Sequence, residues 1–196
     1  YNTPGPDCPL SSNQSISIFA EDDPSFSYPQ ASYCQGDADP QASISGTGGG
    51  TFSGPAQIVF LDINTGLIDL DASTAGGPYN VTYTSPGPEC PNSSTFSITI
   101  NAEDDPTFAY GNTNYCITAS DPSPSTIITP GGTFSEISGL LNINPVTGLV
   151  DLDNSVAGTY YVVYSTTGIC PNIDSVLFTI EDNQDPSFNY LTPIYG

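Results

Sequence analysis

The sequence predicts an all-β protein built from tandem immunoglobulin-like β-sandwich repeats of about 82 residues. The first observation behind this prediction is an internal repeat, because the segment from Gly49 to Asp71 recurs between Gly131 and Asp153. The second is a series of short alternating runs, separated by Gly and Pro turn signals at the spacing of about 8–12 residues that is typical of a sandwich. The third is that no stretch combines the 3.6-residue period and the capping residues that predict a helix.

The register of the repeat divides the chain into four segments. Residues 1–21 are expected to be the terminal strand of a preceding repeat. Residues 22–103 and 104–185 are the first and second immunoglobulin-like repeats, and residues 186–196 start a following one. Because the pattern begins part-way through a repeat, we expect the chain to be a section of a longer exported polypeptide.

The expected strands follow in order along the chain. Residues 15–19 alternate polar and apolar side chains, as a half-buried strand does. In the first repeat, Phe26 and Tyr28 face one side of a short strand, and an extended run resumes at residues 42–45. The glycine-rich residues 46–50 are expected to form a turn or a bulge.

The second half of the repeat carries the clearest strand patterns. Residues 58–61 are expected to be a buried strand, and Gly66 closes a turn into a hairpin partner at residues 67–70. Tyr79 and Tyr160, near the start of the penultimate strand, are either tyrosine corners or ordinary core aromatics. The inward positions of the last two strands are taken by Tyr79, Val81, Tyr83, Phe96, Ile98 and Ile100.

Charge excludes several classes of function. The chain carries 21 acidic side chains and no Lys, Arg or His, for a net charge of −21. Such a chain repels nucleic acid phosphates and anionic bilayers, and no run of 18 apolar residues predicts membrane insertion in this segment. Disorder is outweighed by 12 tyrosines, nine phenylalanines and the alternating aliphatic pattern, which predict packed cores.

Catalytic chemistry is also poorly supplied. Without His or Lys, no side chain can serve as a base for a Ser or Cys nucleophile or form a Schiff base. The carboxylate pair Asp69 and Asp71 offers an acid and a base for glycoside hydrolysis. However, the pair recurs as Asp151 and Asp153, and an enzyme seldom duplicates its site in every repeat, so we expect no enzymatic activity.

The repeated motifs resemble those of a known group of surface proteins. The motifs that carry this likeness are GGTFS, NTGLIDLDAS, AGGPYNVTYTS, CPNSSTFSITI, DDPTFAY and YC. The chain is similar to the tandem extracellular repeats of very large Bacteroidota surface proteins. These include gliding-motility adhesins exported by type IX secretion. The resemblance implies an extracellular, cell-surface filament of serial immunoglobulin-like domains. Gly196 departs from it, because it stands where the pattern has a cysteine.

The five cysteines predict disulfides and fall into two classes by register. Cys34 and Cys116 follow the first strand of a repeat, whereas Cys8, Cys90 and Cys170 precede the last strand. One possibility is pairing within repeats, as Cys34–Cys90 and Cys116–Cys170.

The alternative pairing joins neighbouring repeats through Cys34 and Cys170. In an immunoglobulin topology the two classes lie at opposite poles, about 26 Å apart for a strand of about eight residues. A disulfide needs Cα atoms within about 7 Å, and end-to-end stacking would bring facing poles together. Cys8, Cys90 and Cys116 would then have partners outside this sequence.

Two weaker site hypotheses concern calcium and glycans. Acidic residues cluster where the repeats join, and carboxylate oxygens at such boundaries are candidate calcium ligands, although a solvated, turn-forming linker is the favoured interpretation. The calcium candidates are Asp22, Asp23, Asp104 and Asp105. The candidate glycan acceptors are Asn13, Asn80 and Asn92 in Asn-x-Ser/Thr, and Ser175 in Asp-Ser-Val.

We interpret the chain as a structural and adhesive segment of a long extracellular filament, a stiff acidic stalk that presents a distal adhesive element. Its expected partners are neighbouring repeats of the same polypeptide and a surface or polysaccharide ligand of unknown identity. One alternative is a surface-layer or matrix polymer, which would assemble laterally. The other is the spacer of a secreted polysaccharide-degrading enzyme.

Peptide mapping under non-reducing conditions tests the disulfide prediction. After chymotrypsin or Glu-C digestion, a peptide joining Cys34 to Cys170 is expected, because only this pair matches facing poles. A peptide joining Cys34 to Cys90 would instead show separately closed repeats. The enclosed loop is long, so the chain-entropy model assigns the crosslink on the order of 4–5 kcal/mol.

Overall fold

The computed structural model describes residues 12–87, 90–183 and 187 of the chain. The chain divides into two compact units, unit 1 (Tyr1–Ile100) and unit 2 (Asn101–Gly196). Eight β-strands and no helix occur among the described residues of each unit, which confirms the all-β prediction. Accordingly, no described segment is a helix of membrane-spanning length and hydropathy.

The strands of the two units correspond one to one. Unit 1 contains β1 (Phe26–Ser27), β2 (Ser32–Cys34), β3 (Ser43–Ile44), β4 (Thr51–Ser53), β5 (Val59–Asp62), β6 (Leu67–Asp69), β7 (Gly76–Thr84) and β8 (Ser93–Asn101). Unit 2 contains β9 (Phe108–Tyr110), β10 (Asn114–Cys116), β11 (Pro124–Ile127), β12 (Thr133–Ser135), β13 (Asn142–Ile143), β14 (Val150–Asp151), β15 (Gly158–Ser165) and β16 (Ile173–Glu181).

Both units have the same sheet topology. In unit 1 a four-stranded sheet has the order β2-β8-β7-β4, while β1 pairs with β3 and β5 with β6. Unit 2 repeats this arrangement as β10-β16-β15-β12, β11-β9 and β13-β14. The long pair β15 and β16 is antiparallel from Gly158↔Ile180 to Ser165↔Ile173, whereas β10 lies parallel to β16.

Each unit buries a hydrophobic core between its sheets. The long strands alternate, so that Val81, Tyr83, Ile98 and Ile100 point inward and are almost fully buried. Unit 2 places Val162, Tyr164, Phe178 and Ile180 at the same positions. The tight turn before β6 needs Gly66, whose φ of 68° lies in the left-handed region, as expected from the hairpin pattern.

Buried tyrosines connect these cores to the loops. The Tyr83 hydroxyl accepts a hydrogen bond from the Gly50 amide at 2.9 Å and donates one to the Thr47 carbonyl at 2.7 Å. Tyr164 does the same with Gly132 and Thr129, at 2.8 and 2.6 Å. The glycine-rich turn before β4 is therefore fixed to the core by one phenol, and Gly50 has no room for a side chain because a Cβ would collide with the Thr84 carbonyl.

One strand prediction is wrong, and a second is right about the strand but wrong about its burial. Residues 15–19 form no strand, and Ile16 and Ile18 are 85% and 93% exposed. No described strand pairs with this segment, and an isolated strand leaves its backbone groups and its apolar face without partners. The predicted buried strand at residues 58–61 buries only Ile58, because β5 turns one face to the core and leaves Val59 and Leu61 exposed.

The tyrosine contacts predict the effect of removing one hydroxyl. Tyr164→Phe leaves the Gly132 amide and the Thr129 carbonyl without their partner, so unit 2 should lose about 1–3 kcal/mol of stability. Amide hydrogen exchange of Gly132 and of β15 measures this loss. Tyr161→Phe is the matched control, because this exposed phenol should change stability by less than about 0.5 kcal/mol. Equal protection in the two variants would contradict the prediction.

Candidate functional site

The candidate site of each unit is the end at which the acidic residues before the first strand meet the loop with the cysteine that precedes the last strand. We call residues 21–25 and 103–107 the lead-in segments. The cysteine loops are the β7–β8 connection, which carries Cys90, and the β15–β16 connection, which carries Cys170. The same contacts recur in both units, which indicates that this end is built in the same way in each repeat.

A buried hydroxyl closes each cysteine loop. Ser85 donates its amide to the Asn92 carbonyl at 2.9 Å, and its hydroxyl accepts a hydrogen bond from the Asn92 amide at 2.9 Å. In unit 2, Thr166 makes the same two contacts with Asn172, at 2.9 and 2.8 Å. Ser85 and Thr166 are both almost fully buried, so the loop is anchored at its base.

Hydrogen bonds attach each lead-in segment to the cysteine loop of its own unit. The Asp22 amide donates to the Cys90 carbonyl at 3.2 Å, and the Asp104 amide donates to the Cys170 carbonyl at 2.9 Å. In unit 2 the Asp104 carboxylate also accepts from the Gly168 amide at 2.8 Å. The start of each repeat is thus tied to the loop before its last strand.

Each register class contains one disulfide-bonded cysteine and one free cysteine among the described residues. Cys34 and Cys170 are disulfide-bonded, whereas Cys90 and Cys116 are free thiols. The within-repeat pairs Cys34–Cys90 and Cys116–Cys170 are therefore not formed. Cys8 lies outside the described residues, and the Cys34–Cys170 pairing stays a prediction for peptide mapping.

Strand geometry explains why the within-repeat pairs do not form. Cys116 lies opposite Glu181 at the end of β16, whereas Cys170 precedes the start of that strand. The nine residues of β16 extend about 30 Å, far beyond the separation that a disulfide spans. The two cysteine classes lie at opposite ends of a unit, as the topology argument predicted.

The boundary carboxylates cap turns. Asp23 accepts hydrogen bonds from the hydroxyl and the amide of Ser25, and Asp105 accepts one from the Thr107 amide at 3.0 Å. Hydrogen bonds from the Ser25 side chain and backbone hold the pKa of Asp23 below its usual value, and Thr107 does the same for Asp105. Both carboxylates are therefore ionised at neutral pH.

Three of the four predicted calcium ligands accept hydrogen bonds from backbone amides. Among the described residues, no group of three or more His, Cys, Asp or Glu side chains is arranged to hold a metal ion. Calcium takes six to eight oxygen ligands, whereas Asp23, Asp104 and Asp105 direct carboxylate oxygens to backbone amides. Calcium binding by Asp22, Asp23, Asp104 and Asp105 stays a prediction.

The first member of each remaining acid pair, Asp69 of Asp69/Asp71 and Asp151 of Asp151/Asp153, caps a turn. The Asp69 carboxylate accepts a hydrogen bond from the Ala72 amide, and Asp151 accepts one from the Asn154 amide. These contacts close the turn after β6 and its counterpart after β14. Nothing in them requires acid–base chemistry.

The candidate glycan acceptors differ in exposure. Asn13, Asn80 and Ser175 are exposed, although the Asn80 side chain accepts a hydrogen bond from the Ser97 hydroxyl at 2.7 Å. Asn92 is partly buried, and its side-chain oxygen accepts from the Ser93 amide. Asn13 and Ser175 are thus the more accessible positions, and glycosylation stays a prediction.

Sequence reasoning missed the hydroxyls that organise the candidate site. Ser85 and Thr166 precede the two cysteine loops, but Ser and Thr are common in this chain and gave no signal alone. Their matched positions before Cys90 and Cys170 would have been the usable signal. Tyr160 meets the definition of a tyrosine corner, because its hydroxyl donates to the Val156 carbonyl four residues upstream. The Tyr79 hydroxyl instead lies over Gly76.

Comparison with known proteins leaves the family open. No family model and no curated protein matches the chain. A SusE-like, surface-located polysaccharide-binding protein from the Bacteroides thetaiotaomicron heparin utilisation locus has 14% identity and a TM-score of 0.40, covering 80% of this chain and 33% of its own.

Two adhesion-type structures show a similar degree of likeness. The insect immune protein hemolin has 13% identity and a TM-score of 0.42, covering 87% of this chain and 49% of its own. Domains 3–6 of protocadherin gamma B2 have 14% identity and a TM-score of 0.35, covering 90% and 56%. This chain thus spans at most about half of these structures, and such remote likenesses assign it no ligand or partner.

The turn-capping carboxylates predict a pH dependence. Because the folded pKa of Asp105 is lowered, its stabilising contribution is present above the unfolded value of about 3.9 and is lost as pH falls through the folded pKa. Asp105→Ala should therefore have a lower melting temperature than the unsubstituted chain at pH 7, and the difference should shrink below about pH 4. Asp153→Ala removes the same charge from an exposed turn and is the control. A deficit for Asp105→Ala that stays constant from pH 7 to pH 3 would contradict this.

Proposed function

We propose that the chain is a load-bearing stalk segment of a long extracellular cell-surface filament, which presents an adhesive element located elsewhere. The observation that carries this proposal is the position of the first and last strands of the four-stranded sheet, which are β2 and β8 in unit 1 and β10 and β16 in unit 2. These strands are neighbours, so a pull on the two ends of a unit acts on the hydrogen bonds between them once the contacts of the lead-in segment and of β1 or β9 have opened.

In unit 2 this terminal pairing is parallel. Asn114, Tyr115 and Cys116 pair with Thr179, Ile180 and Glu181. The Ile117 amide adds a hydrogen bond to the Glu181 carbonyl at 2.9 Å. When parallel strands are pulled from opposite ends, their hydrogen bonds are loaded together in shear, whereas a hairpin pulled at its open end breaks them one at a time.

Unit 1 keeps the same arrangement. Its β2 strand lies beside β8, and the Thr99 amide donates to the Ala31 carbonyl at 2.9 Å, as Thr179 donates to Thr113 in unit 2 at 2.8 Å. Each unit also has its own buried aromatic core. A stalk requires such independent, repeated load-bearing units, whereas a catalytic domain requires one specialised cleft.

The acidic surface is consistent with an extracellular location. A net charge of −21 keeps copies of the chain apart in solution and disfavours contact with anionic membranes. The same repulsion argues against lateral polymerisation as the main role. We therefore place the stalk ahead of the surface-layer and enzyme-spacer alternatives, and the proposed location is the cell surface.

Single-molecule force spectroscopy of the reduced chain tests the load-bearing role. Two unfolding events of similar force are expected, one for each unit. Ile117→Pro removes the amide that bonds to Glu181 while keeping an extended backbone before it, so one of the two events should shift to a clearly lower force. The other event, from unit 1, is the internal control.

Two outcomes would contradict the proposal. Unfolding at a force no higher than that of a hairpin peeled from its end would show that the terminal pairing carries no load. Reversible assembly of the unsubstituted chain in sedimentation velocity, in either calcium or EDTA, would favour the lateral polymer instead. A stalk segment should remain monomeric in both buffers.

A further inference from the structure

One face of unit 2 contains a cleft of about 400 Å³, a volume within the range of ligand sites. We define the β15 cleft by Glu136, Ile137, Leu140, Val156, Tyr160 and Tyr161. Its apolar members are unusually exposed for aliphatic and aromatic side chains: Ile137 is 97% exposed, Tyr161 63% and Leu140 51%. Contiguous exposed apolar surface of this kind is typical of interaction sites.

The cleft is formed by the fold before any ligand arrives. The Glu136 carboxylate accepts hydrogen bonds from the Ser138 amide and hydroxyl, each at 2.7 Å, and from the Gly139 amide at 3.0 Å. These bonds close the loop that carries Ile137. On the other wall, the buried Tyr160 donates its hydroxyl to the Val156 carbonyl. Both walls are thus held by hydrogen bonds within unit 2.

Unit 1 provides an internal comparison, because equivalent backbone contacts identify equivalent positions. The Val156 amide donates to the Leu140 carbonyl, as the Thr74 amide donates to the Gln57 carbonyl. Thr74 and Gln57 therefore stand where unit 2 has Val156 and Leu140. Both positions are exposed in both units, so the sandwich itself does not require apolar residues there.

The same replacement occurs on the long strands. Tyr161 lies opposite Leu177 in β15 and β16, at the register where unit 1 pairs Asn80 with Ser97. In unit 1 those two side chains are hydrogen-bonded at 2.7 Å. Unit 2 therefore has an exposed apolar pair where unit 1 has an exposed polar pair. The apolar cleft is therefore specific to one repeat and is not a consequence of the shared fold.

Charge identifies the occupant. Hydrogen bonds from Ser138 and Gly139 outweigh the effect of burial and keep the pKa of Glu136 below its usual value, so the cleft carries a negative charge at its edge. No Lys, Arg or His exists in the chain to neutralise it. A second copy of the chain would bring only further negative charge. A sugar would need several converging polar groups, whereas the residues that define the cleft are mostly apolar.

We propose that the β15 cleft docks a segment of another protein in which apolar side chains flank a lysine or arginine. The apolar side chains would cover Ile137, Leu140 and Tyr161, and the cation would lie beside Glu136. This makes unit 2 a docking point on the chain, whereas unit 1 lacks the cleft residues and serves only the shared structural role.

Amide NMR of the full chain tests this with three blocked synthetic pentapeptides. Gly-Leu-Arg-Leu-Gly should shift the amides of residues 136–140 and 156–161 and leave residues 54–57 and 74–80 of unit 1 unchanged. Gly-Leu-Gln-Leu-Gly lacks the cation and Gly-Ser-Arg-Ser-Gly lacks the apolar groups, so each should bind at least about tenfold more weakly. Binding of the first peptide should also weaken as salt screens Glu136.

Variants that carry the unit 1 residues provide the matched test. Leu140→Gln with Tyr161→Asn should abolish the shifts, and Glu136→Gln should reduce both the salt dependence and the preference for the Arg peptide. Val146→Thr, which removes an exposed apolar residue outside the cleft, should bind normally. A native-like amide spectrum for each variant separates lost binding from lost folding.

Several results would overturn the proposal. They are the absence of any shift at millimolar peptide, equal shifts in both units, and equal binding of the Arg and Gln peptides. Cleft shifts caused by a maltooligosaccharide in place of the peptides would identify a carbohydrate site. Concentration-dependent broadening of the cleft amides without peptide would identify an interface between copies of the chain.

Discussion

In this protein backbone amides hold the carboxylates in place, a role that lysine and arginine side chains have in most other proteins. With no cationic side chain, every carboxylate that is held in place must be held by hydrogen-bond donors of the main chain or of hydroxyls. Asp39 accepts from the Leu70 amide and Asp121 from the Leu152 amide, which joins the loop before β3 or β11 to the hairpin of each unit. A carboxylate that accepts from backbone amides stabilises the loop it contacts without a counterion.

This constraint determines where the acids lie. Asp23, Asp105 and Glu136 each close a turn two or three residues long, so their charges are fixed at loop ends and stay in contact with water. The cores are free of charge, and no buried side-chain polar atom among the described residues lacks a hydrogen-bond partner. The protein therefore separates its two sources of stability, with apolar and phenolic groups inside and carboxylate caps outside.

Tyrosine hydroxyls connect the apolar cores to the surrounding loops. Tyr28 donates to the Gly66 carbonyl and Tyr110 to the Gly148 carbonyl, both at 2.6 Å, so each hairpin turn is fixed to the core. The rings of Phe52 and Tyr83 pack at 4.8 Å between centroids, and those of Phe134 and Tyr164 at 4.5 Å. Tyrosine suits this position because its ring fills the core while its hydroxyl reaches a loop.

Much of the fold could be predicted from the sequence. The 82-residue register, the alternation in β7 and β8, and the left-handed Gly66 are local patterns, and each corresponds to one structural element because strand period and turn chemistry are local properties. The placement of the two cysteine classes at opposite ends of a unit also followed from topology alone.

The tertiary structure decided those features that depend on contacts between segments far apart in the sequence. The alternating segment at residues 15–19 lacks a partner strand, so its pattern alone does not make it a strand. The capping role of Asp23 and Asp105, which sequence could not distinguish from calcium binding, depends on where backbone amides point. The β15 cleft depends on two segments of unit 2, residues 136–140 and 156–161, that meet only after folding. Sequence by itself thus determined the repeat, its strands and its charge, whereas only the folded chain decided which side chains meet, because those contacts join residues far apart along the chain.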